Sequence, residues 1–159
     1  MVNVNEPNLQ EWGEERRRNA IDIAEMLGVP PDTYSRDPMS AIPALDDYVS
    51  HAPLNEFEED DRITLHVDLA SFIADFLIQK YGAHWTLVDD PTGPVGYRYV
   101  IEATGLDGQT RRVDPVDVVK MEFANCPIEV VRMLASAELT LRLVSQVGKS
   151  EYILSPVAD

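Results

Sequence analysis

Residues 61–82, DRITLHVDLASFIADFLIQKYG, constrain the fold more than any other segment, because their apolar side chains return every three or four positions. That spacing places the apolar side chains on one broad face of an α-helix and most polar ones opposite. The apolar face comprises Leu65, Leu69, Phe72, Ile73, Phe76, Leu77 and Tyr81, and the opposite face comprises Thr64, Asp68, Ser71, Asp75 and Gln79. Gly82 follows where a glycine commonly ends a helix. We therefore predict a long central helix that buries one face and exposes the other.

Beyond Gly82 the period of the apolar residues changes from 3.6 to 2, which is the period of a β-strand. HWTLV (84–88) is the first candidate strand, and YRYVIEA (97–103) is the second. The dipeptide Asp-Gly at 107–108 favours a tight hairpin, so TRRV (110–113) is expected to return beside the second strand. The segment therefore predicts a three-stranded antiparallel meander.

Helices are also predicted upstream of the central helix. Residues 8–27 carry apolar side chains at helical spacing, and Asn8 is a favoured N-cap residue. The arginines at 16–18 are expected to form solvated ion pairs with acids one turn away. A second, shorter helix is predicted over 43–51.

The chain is predicted to return to helices after the meander. Asp114 precedes Pro115, a pair that favours a capped helix over 115–124. Pro127 is expected to start a last helix that runs to about residue 146. Helices, a meander and further helices together predict an α+β fold.

The length and composition fit a single domain. A chain of 159 residues with 45% hydrophobic side chains is long enough to bury one sizeable core. We divide residues 1–159 into an acidic helical N-terminal part (8–61), a helix–meander–helix core (62–146) and a tail (147–159). The single cysteine rules out an intrachain disulfide and any CxxC motif.

Charge is the unusual property of the composition. The chain has 28 acids and 13 lysines and arginines, a formal net charge of −15. Residues 1–61 hold 15 of these acids and only 4 arginines, so most of the excess lies in the N-terminal part. Such a field repels nucleic-acid phosphates and anionic membranes and attracts basic proteins. We expect no nucleic-acid or membrane partner.

Acids are densest just before the central helix, in NEFEEDDRI (55–63). Two interpretations stay open, a solvated loop and a docking surface for a basic protein. The candidate partner-binding residues are Asp46, Asp47, Glu56, Glu58, Glu59, Asp60 and Asp61. Asp60 and Asp61 are expected to precede the first turn of the helix, where carboxylates stabilise the exposed N–H groups. The three glutamates have no predicted structural purpose.

No catalytic or metal-ligating constellation is recognisable in the sequence. His66 lies beside the apolar face of the central helix, but neither Leu69 nor Ala70, three and four positions on, can ligate a metal. Cys126 lacks a histidine near it in sequence and is predicted to be a buried, inert thiol. Phosphate-binding and nucleophile motifs are absent as well. We expect no cofactor.

The first residues, MVNVNEPNLQEW, lack the basic start and the apolar run of a signal peptide. No apolar stretch is long enough to span a bilayer. A cytoplasmic location is therefore expected.

The order of the central elements resembles small uncharacterised bacterial α+β domains. The resemblance rests on an apolar helix ending in QKYGAHW, a strand, a hairpin and VDPVDVVKMEF, with RDPMSAIPALDDYV upstream. Gly82, Trp85, Asp114 and Pro115 are the positions that carry it. Some proteins of this appearance are immunity proteins of bacterial toxin systems, which are often acidic. The resemblance implies no active-site residue.

Two functions of different classes follow as hypotheses. The first is a non-enzymatic interaction protein, toxin-neutralising or regulatory, that binds a basic partner through its acids. The second is a small-molecule-binding domain or enzyme with a pocket between the meander and the central helix.

Overall fold

A computed structural model of the protein describes residues 7–145, which run from helices to a sheet and back to helices. In chain order the elements are α1 (Leu9–Met26), α2 (Pro31–Arg36), α3 (Ile42–His51), α4 (Glu59–Tyr81), β1 (His84–Asp90), β2 (Gly96–Thr104), β3 (Thr110–Val113), α5 (Pro115–Phe123) and α6 (Val130–Thr140). Short 3-10 helices at Pro38–Ala41 and Leu54–Glu56 precede α3 and α4. The predicted α+β class is confirmed, and the predicted tail lies outside the described residues.

Helix α1 begins where the sequence predicts. The Asn8 side-chain oxygen accepts a hydrogen bond from the Glu11 N–H at 3.0 Å, so Asn8 is the N-cap. Beyond the end of the helix, Gly28 has φ = 100°, a conformation that residues with a Cβ rarely adopt. The helix packs along α4.

Helix α4 is the centre of the molecule. It starts at Glu59, so Asp60 and Asp61 lie within its first turn rather than before it. Gly82 ends it with φ = 70°, as predicted. Every residue from 69 to 77 is buried, on all sides of the helix.

The prediction that Ser71 and Asp75 face solvent is wrong, because α1 covers that side of α4. Ser71 satisfies its hydroxyl within the helix, donating to the Val67 carbonyl at 2.7 Å. Asp75 accepts a hydrogen bond from Arg17 of α1 at 3.0 Å. The expectation of solvated ion pairs for the α1 arginines is therefore also wrong for Arg17, while Arg18 is exposed.

The three strands form an antiparallel sheet in the order β1-β2-β3, as predicted. Trp85 pairs with Ile101, and Ile101 pairs with Val113. Ile101 and Ala103 point into the core that the sheet shares with the helices. On the other face, Glu102 lies 3.0 Å from His84 and accepts a hydrogen bond from Arg112 at 2.7 Å.

Helices α5 and α6 close the core. Asp114 accepts a hydrogen bond from the Val116 N–H at 2.9 Å, which confirms the predicted N-cap of α5. Helix α6 begins at Val130 rather than at Pro127, since the backbone of Glu129 is still extended, and the Asp46 carboxylate accepts from the Val130 N–H at 2.7 Å. It also ends earlier than predicted, at Thr140. Among residues 7–145, no helix is long and apolar enough to cross a membrane.

Candidate functional site

Six of the seven predicted partner-binding acids are exposed. We call them the acidic surface, which comprises Asp47, Glu56, Glu58, Glu59, Asp60 and Asp61. Asp46 differs from them, because its carboxylate is half-buried and caps α6 through Val130. This role could not be predicted from the local sequence, since the two residues lie 84 positions apart.

The acids of the surface reach it from three consecutive elements. Asp47 lies on α3, where its carboxylate is 3.3 Å from the His51 ring in a pair that is 77% exposed on both sides. Glu56 lies on the 3-10 helix, and Arg62 donates from the first turns of α4 to the Leu54 carbonyl of that 3-10 helix. This hydrogen bond holds the start of α4 against the segment that carries Glu56.

The first turn of α4 concentrates negative charge where the helix favours it. Glu58 is the N-cap residue, although its side chain makes no capping hydrogen bond. Glu59, Asp60 and Asp61 follow in the first turn, close to the unpaired N–H groups and the positive end of the helix dipole. Glu59 therefore has a structural role that the sequence analysis did not assign to it.

An apolar side chain lies next to these acids. Ile63 is 52% exposed, and it follows Glu59 by four positions and Asp60 by three. Side chains at those spacings share one face of a helix, so Ile63 and the two acids lie together. The acidic surface thus combines negative charge with one exposed apolar side chain that a partner could cover.

A groove lies between α1, the second half of α4 and the start of β1. Its volume is about 670 Å³. Leu9, Gln10, Gly13, Glu14, Arg16, Arg17, Asp75, Ile78, Gln79, Ala83, His84 and Trp85 line it. We call it the α1–α4 groove. Six of these twelve residues lie on α1, a helix that the small-molecule hypothesis did not include.

One wall of the groove is a buried hydrogen-bond network around Asp75, which is only 3% exposed. Tyr34 donates its hydroxyl to this carboxylate at 2.6 Å, Arg17 donates at 3.0 Å and Gln79 donates at 3.5 Å. Burial raises the pKa of Tyr34, and the charge of Asp75 raises it further. Both acceptor oxygens of Asp75 are thus occupied by groups of the protein.

Aromatic rings connect α1 to the sheet beside the groove. Trp12 stacks on Tyr99 with centroids 4.0 Å apart, and it meets Trp85 edge to face at 5.6 Å. The Arg16 guanidinium lies over Trp12, 4.7 Å from the ring centroid. The rings and the guanidinium fix the orientation of α1 against β1 and β2.

The cysteine and the histidines considered in the sequence analysis do not come together as a catalytic or metal-binding site. Cys126 is exposed, so the prediction of a buried thiol is wrong. His66 packs against Phe123, and His84 lies 3.0 Å from the Glu102 carboxylate on the outer face of the sheet. Within residues 7–145, no group of three or more histidines, cysteines and acids could hold a metal ion.

Burial lowers the pKa of His66, and the nearby positive charges of Lys120 and Arg62 lower it further. A neutral imidazole against an aromatic ring fits a packing role. The candidate sites in the described part of the chain are therefore the acidic surface and the α1–α4 groove.

Comparison with protein-family models, with curated proteins and with solved structures found no match to this chain.

Proposed function

We propose that the protein is a non-enzymatic interaction protein that binds a basic protein through the acidic surface. The observation that carries the proposal is the exposure of Ile63 beside Glu59 and Asp60. Interfaces combine a buried apolar contact with a polar rim, and this surface offers both. A toxin-neutralising or a regulatory role, in the cytoplasm and without nucleic acid, fits a partner of that charge.

Electrostatics supports a fast encounter. No lysine or arginine occurs in sequence between residues 37 and 61, the segment that holds the six exposed acids of the surface, and Arg62 follows directly after it. Complementary fields of this kind raise association rates from about 10⁵–10⁶ M⁻¹s⁻¹ toward about 10⁸–10⁹ M⁻¹s⁻¹ at low salt. The effect falls as the Debye length shortens, from roughly 30 Å at 0.01 M salt to roughly 8 Å at 0.15 M.

Contact energy would come from Ile63 rather than from the rim charges. Complete burial of an isoleucine side chain contributes about 1.5–3 kcal/mol, and Ile63 has about half of its surface left to bury. We therefore expect charge changes to slow association and loss of Ile63 to speed dissociation.

The test is affinity capture with paired variants, followed by binding kinetics on the purified partner. Asp47→Lys/Glu56→Lys changes the charge of the acidic surface without touching the first turn of α4. Asp22→Lys/Glu25→Lys, on the exposed side of α1, changes the net charge by the same amount elsewhere.

A basic protein should be retained by wild type and by the α1 control, and lost by the surface variant. Its association rate should fall at least about tenfold between low and physiological salt, and Ile63→Ser should mainly raise the dissociation rate. Equal loss in both charge variants would contradict the assignment of the surface. So would a captured partner whose association is independent of salt.

A further inference from the structure

We propose that the α1–α4 groove binds a small amphipathic monocarboxylate, with its carboxylate at Arg16 and Arg17 and its apolar body against Ile78 and Trp85. This site is separate from the acidic surface, since none of the six acids of that surface lines the groove. It therefore stands whether or not the protein binds a basic partner.

The size of the groove suits a small molecule. Ligand clefts in proteins enclose about 300–1,000 Å³, and this groove measures about 670 Å³. Such clefts are mostly apolar with a few polar groups that orient the ligand. Leu9, Ile78, Ala83 and Trp85 provide the apolar part here.

Gly13 keeps the groove open. It is a glycine inside α1, where glycine costs about 0.5–1 kcal/mol relative to alanine. A Cβ at this position would lie 3.4 Å from Cδ1 of Trp85. A longer side chain would therefore occupy the space beside the tryptophan ring.

The two arginines supply donors that the protein itself does not use up. A guanidinium has five N–H donors. Arg17 gives one nitrogen to Asp75, and its other nitrogens make no hydrogen bond within residues 7–145. The Arg16 side chain is 16% exposed, and its closest acid is Glu15 at 3.5 Å. Such planar donor pairs match a carboxylate bidentately.

The charges around the groove select the class of anion. The Asp75 carboxylate already accepts hydrogen bonds from other residues of the protein. Glu14 also lines the groove, and its carboxylate is exposed. The whole chain carries a net charge of −15. A phosphate dianion would meet stronger repulsion than a carboxylate with one charge, and a cation would meet two arginines. A monocarboxylate is the anion that fits this balance.

The ligand probe is 4-phenylbutyrate, compared with 4-phenyl-1-butanol and 4-phenylbutylamine, which share its apolar body and differ in charge. The chain has two tryptophans, of which Trp85 lines the groove and Trp12 meets the Trp85 ring edge to face, so tryptophan fluorescence reports binding. We expect a saturable change with the carboxylate. Its affinity should exceed that of the alcohol by about tenfold or more, since a charged hydrogen-bonded pair is lost in the alcohol.

Three variants locate the ligand. Arg16→Gln and Gly13→Leu should each weaken 4-phenylbutyrate binding at least about tenfold, the first by removing donors and the second by filling the groove. Arg18→Gln, an exposed arginine on the same helix, should leave the affinity within about twofold of wild type. Circular dichroism of each variant verifies the fold, and neither Gly13 nor Arg16 bonds to the buried Asp75.

The proposal is overturned if the alcohol or the amine binds as tightly as the carboxylate. It is also overturned if Gly13→Leu binds 4-phenylbutyrate like wild type, or if wild type shows no saturable change with this probe.

Discussion

Replacing Tyr34 with phenylalanine tests the buried network behind the groove. Tyr34 is fully buried, and its hydroxyl is 2.6 Å from the Asp75 carboxylate. Phenylalanine keeps the ring and its contact with Phe72, so the change removes the hydrogen bond and little else. A hydrogen bond to a charged group contributes about 1.5–3 kcal/mol to stability.

In this variant Arg17 still donates to Asp75 at 3.0 Å, so the buried carboxylate keeps a hydrogen-bond partner. We therefore expect Tyr34→Phe to lower the free energy of unfolding by about 2 kcal/mol at pH 7. For a chain of this size that corresponds to a loss of about 4–8 °C in the thermal midpoint. Urea unfolding followed by circular dichroism measures the free energy directly.

The pH dependence gives a second, independent readout. Burial, followed by the charge of Asp75, raises the pKa of Tyr34 above the value of about 10 that a tyrosine has in the unfolded chain. A raised pKa in the folded state contributes stability that is complete below pH 10 and is lost as the pH rises beyond it. The stability of wild type should therefore fall by up to about 1.4 kcal/mol per pH unit more steeply than that of Tyr34→Phe.

Tyr48→Phe is the control, because Tyr48 is half-buried and its hydroxyl makes no hydrogen bond within residues 7–145. Its effect should stay within about 0.5 kcal/mol. If Tyr34→Phe costs no more than this control, or if the wild-type advantage does not narrow above pH 10, the reasoning about the network is wrong.

Two substitutions and one labelling experiment test single residues. Asp114→Ala should lower the free energy of unfolding by about 1 kcal/mol, because α5 loses its N-cap, and an unchanged thermal midpoint would show that the cap contributes nothing. Asp46→Ala should cost about the same through α6, whereas Asp47→Ala, one position away and exposed, should stay within about 0.5 kcal/mol; equal effects would contradict the capping role. Cys126 should react with Ellman's reagent at similar rates in native buffer and in denaturant, and slow native reaction would mean that the thiol is covered.

The elements of the fold could be predicted from the sequence because their signals are local. Asn8, Gly82 and Asp114 act on residues within one turn of themselves, and all three behave as their residue types predict. The change of period after Gly82 likewise marks the passage from helix to strand. Each of these depends on neighbours in sequence only.

Predictions failed where a distant segment decides the environment. Asp75 is polar at a position that helical periodicity places outside, but α1 covers it, and the arginine that balances it lies 58 residues away. The start of α6 likewise involves a distant residue, since the Val130 N–H donates to Asp46, 84 positions away. The prediction of a buried Cys126 relied on the lack of a histidine near it in sequence, which does not determine whether the loop between α5 and α6 exposes its side chain.

The two candidate sites differ in the same respect, because one could be predicted from local sequence and the other could not. The exposure of the acids from Asp47 to Asp61 could be anticipated, because a dense run of like charge cannot be buried. The partner of that surface stays a prediction. The groove depends on the packing of α1 against α4 and β1, which the local sequence around Gly13 and Arg16 does not indicate.

The complete burial of α4 between residues 69 and 77 has a consequence for how the protein opens. Amide protons exchange with solvent only when their hydrogen bonds break in the presence of water. The first turn of α4 is exposed and can fray, whereas residues 69–77 are buried where α1, α5 and α6 pack on the helix. Deuterium should therefore enter the first turn early and reach residues 69–77 last, at a rate set by unfolding of the whole domain.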